Sequence, residues 1–189
     1  KPEHIKQSFG VEHPPVVDAG PTQLGIESTV VDLSSNQTRI LRPGPIHTET
    51  ISAILGEDVL TPKVDDACDG SKTKRSPGFL PNHYQPESPL QIFSSSKELL
   101  TFLNMEPCIP AASVVLSHSP LNKPHFPSKS LKFIHFSEAG DPVEIAKNLF
   151  ACLREADAHS PPLILCPLLP EMGIGIAVND RLRKASFKG

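Results

Sequence analysis

Two short apolar runs, residues 27–33 and 38–42, flank the polar cluster Ser34-Ser35-Asn36-Gln37, and Pro43-Gly44 ends the second run. β-Branched residues bounded by turn formers predict a hairpin. Its polar content is unusual. Glu27, Ser28 and Thr29 open the first arm and Arg42 closes the second, although a ribbon that only built core would need neither hydroxyls nor a guanidinium. Before the hairpin, residues 2–9 predict a short helix with Ile5 and Phe9 on one face and Gly10 after it. Val16-Val17-Asp18 predicts a brief strand. After the hairpin, Thr48 is the expected cap of a helix that buries Ile51, Ile54 and Leu55 and stops at Gly56.

The pattern changes twice more. Residues 61–89 carry prolines, glycines and mixed charges without periodicity, which predicts an extended linker. From residue 90, strand and helix patterns alternate: a strand at 90–93, a helix capped by Ser95 or Ser96 and running to 103, and a buried strand at 113–117. A proline-rich loop at 119–128 precedes a strand at 131–136. Asp141-Pro142-x-Glu144 is a strong helix start. That helix runs to about residue 155, with Ile145, Leu149 and Leu153 inward and Ala146 and Phe150 beside them. A strand at 163–166 and a helix at 174–186 complete the series. Such alternation predicts an α/β, doubly wound parallel sheet.

Composition narrows the function. The 189 residues carry 18 Lys+Arg against 21 Asp+Glu, so the chain lacks the basic excess of a broad phosphate-binding surface. Proline is frequent, 21 of 189, but it clusters in the loops, where it punctuates rather than disorders. Cys68, Cys108, Cys152 and Cys166 show no C-x-x-C spacing, and the eight histidines form no ligand pattern, so no structural metal site is expected. No apolar run approaches a membrane span, and no signal peptide is visible.

Candidate chemistry concentrates in the hairpin. Ser28 can donate a directed hydrogen bond, or can simply satisfy a strand end. Arg42 can fork onto phosphate oxygens, or can sit in solvent beside an acid. The two lie 14 positions apart. An odd-length connection would place them on one face, and an even-length one on opposite faces. Glu27 and Asp32 could assist magnesium, but the expected role is support of the fold. Gly173-x-Gly175 lacks the third glycine of a dinucleotide fingerprint, since position 178 is Val178, and reads as packing at a helix start. Arg181, Arg183, Lys184 and Lys188 read as a basic helix end that complements the helix dipole, with RNA contact the minority reading.

Three separated stretches resemble one family in its own order. G-I-E-S-T-V-V-D-L with I-L-R-P-G is similar to the YrdC-type threonylcarbamoyl-AMP synthases. Ser76-Pro77-Gly78 and His83-Tyr84-Gln85-Pro86 resemble the lid linker of the long, two-domain form. Residues 149–157 and 173–182 resemble its Rossmann-like C-terminal domain. Between the two linker motifs, Phe79-Leu80-Pro81-Asn82 replaces the family's Met-Lys-Tyr-Arg, so both cations and one aromatic are lost.

The resemblance implies a layout: residues 1–60 as the end of a YrdC-like catalytic domain, 61–89 as linker and lid, and 90–189 as the Rossmann-like domain. The family's Lys-x-Arg and Ser-x-Asn motifs do not precede the hairpin, so residues 1–189 alone are expected to be an inactive fragment. The implied reaction joins L-threonine, bicarbonate and ATP into threonylcarbamoyl-AMP and pyrophosphate, in the cytoplasm, for a tRNA-modifying complex. ATP is a substrate, and Mg²⁺ is expected to ride mainly on its phosphates. By resemblance, Ser28 contacts L-threonine, Arg42 and Tyr84 contact ATP, and no protein nucleophile is required; the alternative for Tyr84 is a tyrosine that pins the linker to the surface, and His83 reads as structural. The alternatives are a double-stranded RNA-binding YrdC-like module and a carbamoyl-transfer domain of the hydrogenase-maturation type.

Overall fold

The computed structural model describes residues 2–61, 84–105, 109–121 and 130–186. The Ser76-Pro77-Gly78 motif, the Phe79–Asn82 exchange, His83, Cys68 and Cys108 lie outside those residues.

The first region follows the hairpin prediction and departs from it around the edges. Helix α1 spans Pro2–Phe9 and runs into a 3-10 turn at Gly10–Glu12. Residues 16–18 form no strand, and Val17 is 93 % exposed. Two prolines precede this segment, and no described neighbour offers it a ladder, so it stays irregular. The hairpin arms are β1, Val30–Asp32, and β2, Arg39–Arg42, shorter than the apolar runs that predict them. Helix α2 spans Thr48–Leu55 and ends at Gly56, whose N–H bonds to the Ser52 carbonyl. His47, not Thr48, holds the cap position, and its side chain makes no capping hydrogen bond. The expected buried face of α2 is also corrected: Ile54 is 77 % exposed, and Leu55 is exposed as well. Its apolar spacing is real, but no residue of α2 is buried, and Ile51 is only half-buried.

The second region is a parallel sheet of β3 (Leu90–Phe93), β4 (Val114–Ser117), β5 (Lys132–His135) and β6 (Ile164–Pro167), in the order β3-β6-β4-β5. The central strands β4 and β6 are buried at every position, as expected when helices cover both faces. Helix α3 (Ser96–Met105) lies on one face with Leu99 and Leu103 against Val115 and Leu165. Helices α4 (Pro142–Asp157) and α5 (Ile174–Ser186) cover the other, with Ile145, Leu149 and Leu182 against Leu116, Ile164 and Cys166.

Local chemistry explains where these helices begin. Ser95 Oγ accepts from the Glu98 N–H, and the Glu98 carboxylate reaches back to the Ser94 N–H, a reciprocal cap for α3. Asp141 accepts from the Val143 N–H, and Pro142 occupies the first turn of α4, where a missing N–H costs nothing. Glu144 does not close a capping box; its carboxylate accepts from Ser137 Oγ at 2.5 Å. At the other end of α4, the Asp157 carboxylate accepts from the Glu87 and Ser88 N–H groups at 3.0 and 2.9 Å and fixes the approach to β3. Gly173 and Gly175 stand at the start of α5, where Gly175 packs on the Pro170 carbonyl, as the helix-start reading expects.

Candidate functional site

The hairpin builds its site through a defect in its ladder. The connection, residues 33–38, has six residues, an even number. Simple pairing of Asp32 with Arg39 and Val31 with Ile40 would set Ser28 and Arg42 on opposite faces. Instead the register slips between Val30 and Val31, so that Val30 faces Arg42 and Leu41 is the extra residue. A bulge of this kind re-aims one side chain. Ser28 shares a face with Val30, and therefore with Arg42. Arg42 Nε donates to the Ser28 carbonyl at 3.1 Å, and its Nη2 lies 3.4 Å from Ser28 Oγ.

Close backbone approach locks this arrangement. A Cβ at Gly44 would lie 2.2 Å from the Thr29 nitrogen and 2.6 Å from the Ser28 carbonyl carbon, so only glycine lets the second arm press on the first. Thr29 Oγ1 then donates to the Ile46 carbonyl at 2.9 Å and accepts from its N–H at 3.1 Å. The hydroxyls and the guanidinium singled out in the sequence thus divide their work. Thr29 staples the loop, while Ser28 and Arg42 meet at its partly open edge.

Glu27 ties this edge to the second region. One carboxylate oxygen accepts from the Tyr84 hydroxyl. The other accepts from Arg181 Nε and Nη2, at 3.1 and 3.0 Å. Burial alone would raise the Glu27 carboxyl; the Tyr84 hydrogen bond and the Arg181 charge outweigh it and hold it below the usual value. Burial and the neighbouring carboxylate push the Tyr84 phenol well above its usual value. Tyr84 adopts φ +74°, a conformation rare for an aromatic residue. Its ring stacks on Phe150 of α4 with centroids 4.9 Å apart. The segment before Glu27 is pressed on the same helix: a Cβ at Gly25 would lie 2.5 Å from the Lys147 carbonyl oxygen. Beside it, Pro21, Thr22, Lys147, Phe150 and Arg154 line a cleft of about 220 Å³.

Arg181 was the residue that sequence reasoning misplaced. It is no helix-end surface cation: its side chain is 0 % exposed. Besides Glu27 it donates to the Pro43 carbonyl, to the Ala177 carbonyl and to Asp180. Its neighbours are paired too, Arg183 with Glu171 and Lys184 with Asp180. A signal was present. Ile174, Ala177, Val178, Leu182 and Ala185 mark the buried stripe of α5, and position 181 falls within it. An arginine inside an apolar stripe must find a buried partner.

Glu27 and Asp32 are both engaged within the fold. Glu27 has both oxygens engaged by Tyr84 and Arg181, and one oxygen of Asp32 accepts from the N–H and the hydroxyl of Ser34. A hard cation needs several convergent oxygens. Among the described residues, no group of three or more His, Cys, Asp or Glu side chains is placed to hold a metal ion. Cys152 and Cys166 are buried, and burial pushes the Cys152 thiol up to about 11. No described helix is long and apolar enough to cross a membrane.

Fold and site together define a class: an α/β protein in which a polar β-ribbon is joined to a parallel sheet through one carboxylate shared by a tyrosine and a buried arginine. Comparison with known proteins narrows it. The profile described as "Threonylcarbamoyl-AMP synthase, C-terminal domain" matches residues 46–186, and the chain belongs to that family. It is 29 % identical over 184 residues to the threonylcarbamoyl-AMP synthase of Pyrococcus abyssi, covering 97 % of this chain and 52 % of that protein. To the Bacillus subtilis threonylcarbamoyl-AMP synthase it is 28 % identical over 186 residues, covering 98 % and 52 %. The chain thus spans about half the length of these curated relatives. The crystal structure of Pyrococcus abyssi Sua5 complexed with L-threonine superimposes with a TM-score of 0.76 at 27 % identity, over 97 % of this chain and 52 % of that one.

Proposed function

We propose that the full-length protein is an L-threonylcarbamoyladenylate synthase. The threonine amine captures bicarbonate as a carbamate with loss of water. A carbamate oxygen then attacks the α-phosphorus of ATP, the bond to the bridging oxygen breaks, and pyrophosphate leaves. Residues 1–60 are the end of the catalytic domain, 61–89 the linker and lid, and 90–189 the Rossmann-like domain. The site needs no protein nucleophile, because holding a carbamate and a phosphate in register, with cations near the developing charge, is itself catalytic. Ser28 orients L-threonine, and Arg42 holds ATP. Tyr84, whose hydroxyl donates to Glu27, meets ATP through its ring edge or its phenol oxygen as acceptor. The product passes to a tRNA-modifying complex in the cytoplasm.

The observation that carries this reading is the bulge that brings Ser28 and Arg42 within 3.4 Å on one face of the ribbon. Family membership and the L-threonine complex of the Pyrococcus abyssi relative support it. The test is pyrophosphate release by the full-length protein with L-threonine, bicarbonate and ATP. Ser28→Ala should raise the KM for L-threonine at least tenfold, and Arg42→Ala should do the same for ATP. Wild-type-like constants in both variants would defeat the assignment. No observation favours the double-stranded RNA or hydrogenase-maturation alternatives, and on α5 Arg183 and Lys184 are paired with Glu171 and Asp180.

A further inference from the structure

We infer that Arg181 is a positioning residue through which the parallel-sheet domain sets the spacing of the two substrate-binding arms; this rests on the roles proposed above for Ser28 and Arg42. Arg181 reaches the residues that flank Ser28 and Arg42. It binds the carboxylate of Glu27, the residue before Ser28, and the carbonyl of Pro43, the residue after Arg42. One rigid, planar guanidinium therefore spans both arms at the end where the candidate site lies. It is anchored in its own helix by the Ala177 carbonyl and by Asp180.

The ribbon needs such a clamp. Its ladder is short and bulged, and around it Ile40, Pro43 and Val59 are the buried apolar side chains among the residues described up to 61. Apolar packing alone leaves the separation of its arms loose. Polar contacts from α5 decide it, and Tyr84 reinforces them by binding the second oxygen of Glu27. A lysine at 181 would keep the charge. Its single ammonium lacks the flat fork that meets the Glu27 carboxylate side-on while also reaching the Pro43 carbonyl.

Arg181→Lys tests this in two ways. Hydrogen exchange needs no activity. In the variant, amides of residues 27–46 should exchange at least tenfold faster, while those of β4 and β6 keep wild-type protection. Acceleration spread evenly through the sheet would mark a merely structural role and overturn the inference, as would no acceleration at all. In the full-length protein, the same variant should lose at least tenfold in kcat/KM for both L-threonine and ATP, whereas Ser95→Ala, which uncaps α3 on the other face of the sheet, should stay within twofold. An Arg181→Lys enzyme within twofold of wild type would also overturn it. Should wild-type protein release no pyrophosphate, the proposed reaction fails, and the exchange experiment still decides whether Arg181 holds the ribbon. If Arg181→Lys fails to fold, Glu27→Gln takes its place in the exchange measurement, with the same two outcomes.

Discussion

The ribbon and the parallel sheet are stabilised by different forces. The sheet buries a continuous apolar cluster on one face and a second on the other, so its order is a hydrophobic property. Around the ribbon, Val17, Leu33, Ile46 and Ile54 stay exposed, and position is fixed by directed polar contacts: Arg42 to Ser28, Thr29 to Ile46, and Glu27 to Tyr84 and Arg181. Hydrophobic packing resists unfolding but is non-directional. Under the roles proposed for Ser28, Arg42 and Arg181, a site for two polar substrates needs direction more than depth and takes that direction from the neighbouring sheet.

Four substitutions strain that contrast, in descending order of destabilisation. Leu149→Ala, in the sheet core, should lower stability by about 2–5 kcal/mol, since it removes a buried isobutyl group and leaves a cavity. The midpoint of urea unfolding measures it, and a loss below about 1 kcal/mol would show that this core is not tightly packed. Next comes Asn179→Ala. Asn179 is fully buried and bonds both the Leu169 N–H and the Leu169 carbonyl at 2.9 Å. Leaving those groups unpaired should cost about 1–3 kcal/mol in the same assay. Asp141→Ala removes the cap of α4 and should cost about 1 kcal/mol. Ile54→Ser, on the exposed face of α2, should change stability by less than about 0.5 kcal/mol. A larger loss would mean that the ribbon region has a hydrophobic core after all.

The joint between the two regions has its own pH signature. Glu27 has a lowered value in the fold, so the unfolded chain binds more protons in acid. The stability it confers is present above the ordinary value of 4.5 and is lost as pH falls through the lowered one. Tyr84 is raised, so its contribution is present below the ordinary value of 10.0 and disappears as pH rises through the folded one. Tyr84 is the sole tyrosine, and the chain has no tryptophan, which makes it a built-in reporter. Alkaline titration of the phenolate absorbance should show a midpoint above 10.0 in the native protein and a lower one in Glu27→Gln. Equal midpoints would mean that the Glu27–Tyr84 bond does not persist in solution.

Much of the fold after residue 90 is legible in the chain because its determinants are local. The Asp141-Pro142 start of α4 and its inward residues Ile145, Leu149 and Leu153 follow from spacing and capping within one element. Strand boundaries shift by a residue or two, as at β5 and β6, because ladder partners rather than side chains end a strand. The exposed face of α2 was not legible, since periodicity identifies an apolar stripe but not whether anything covers it.

Local patterns along the chain specify the strand and helix series and the hairpin, carry the family resemblance, and set Ser28, Arg42 and Tyr84 apart from the core-building residues around them. The tertiary structure decided how they meet. Parity along the chain puts Ser28 and Arg42 on opposite faces, and only the extra residue Leu41 in the ladder returns them to one. Arg181 lies 154 positions from Glu27, and no local pattern names its partner. Hydrophobic spacing acts within one turn or one pleat and can be read residue by residue. A bulge and a buried ion pair depend on which backbones arrive beside each other, and that is settled only when the chain has folded.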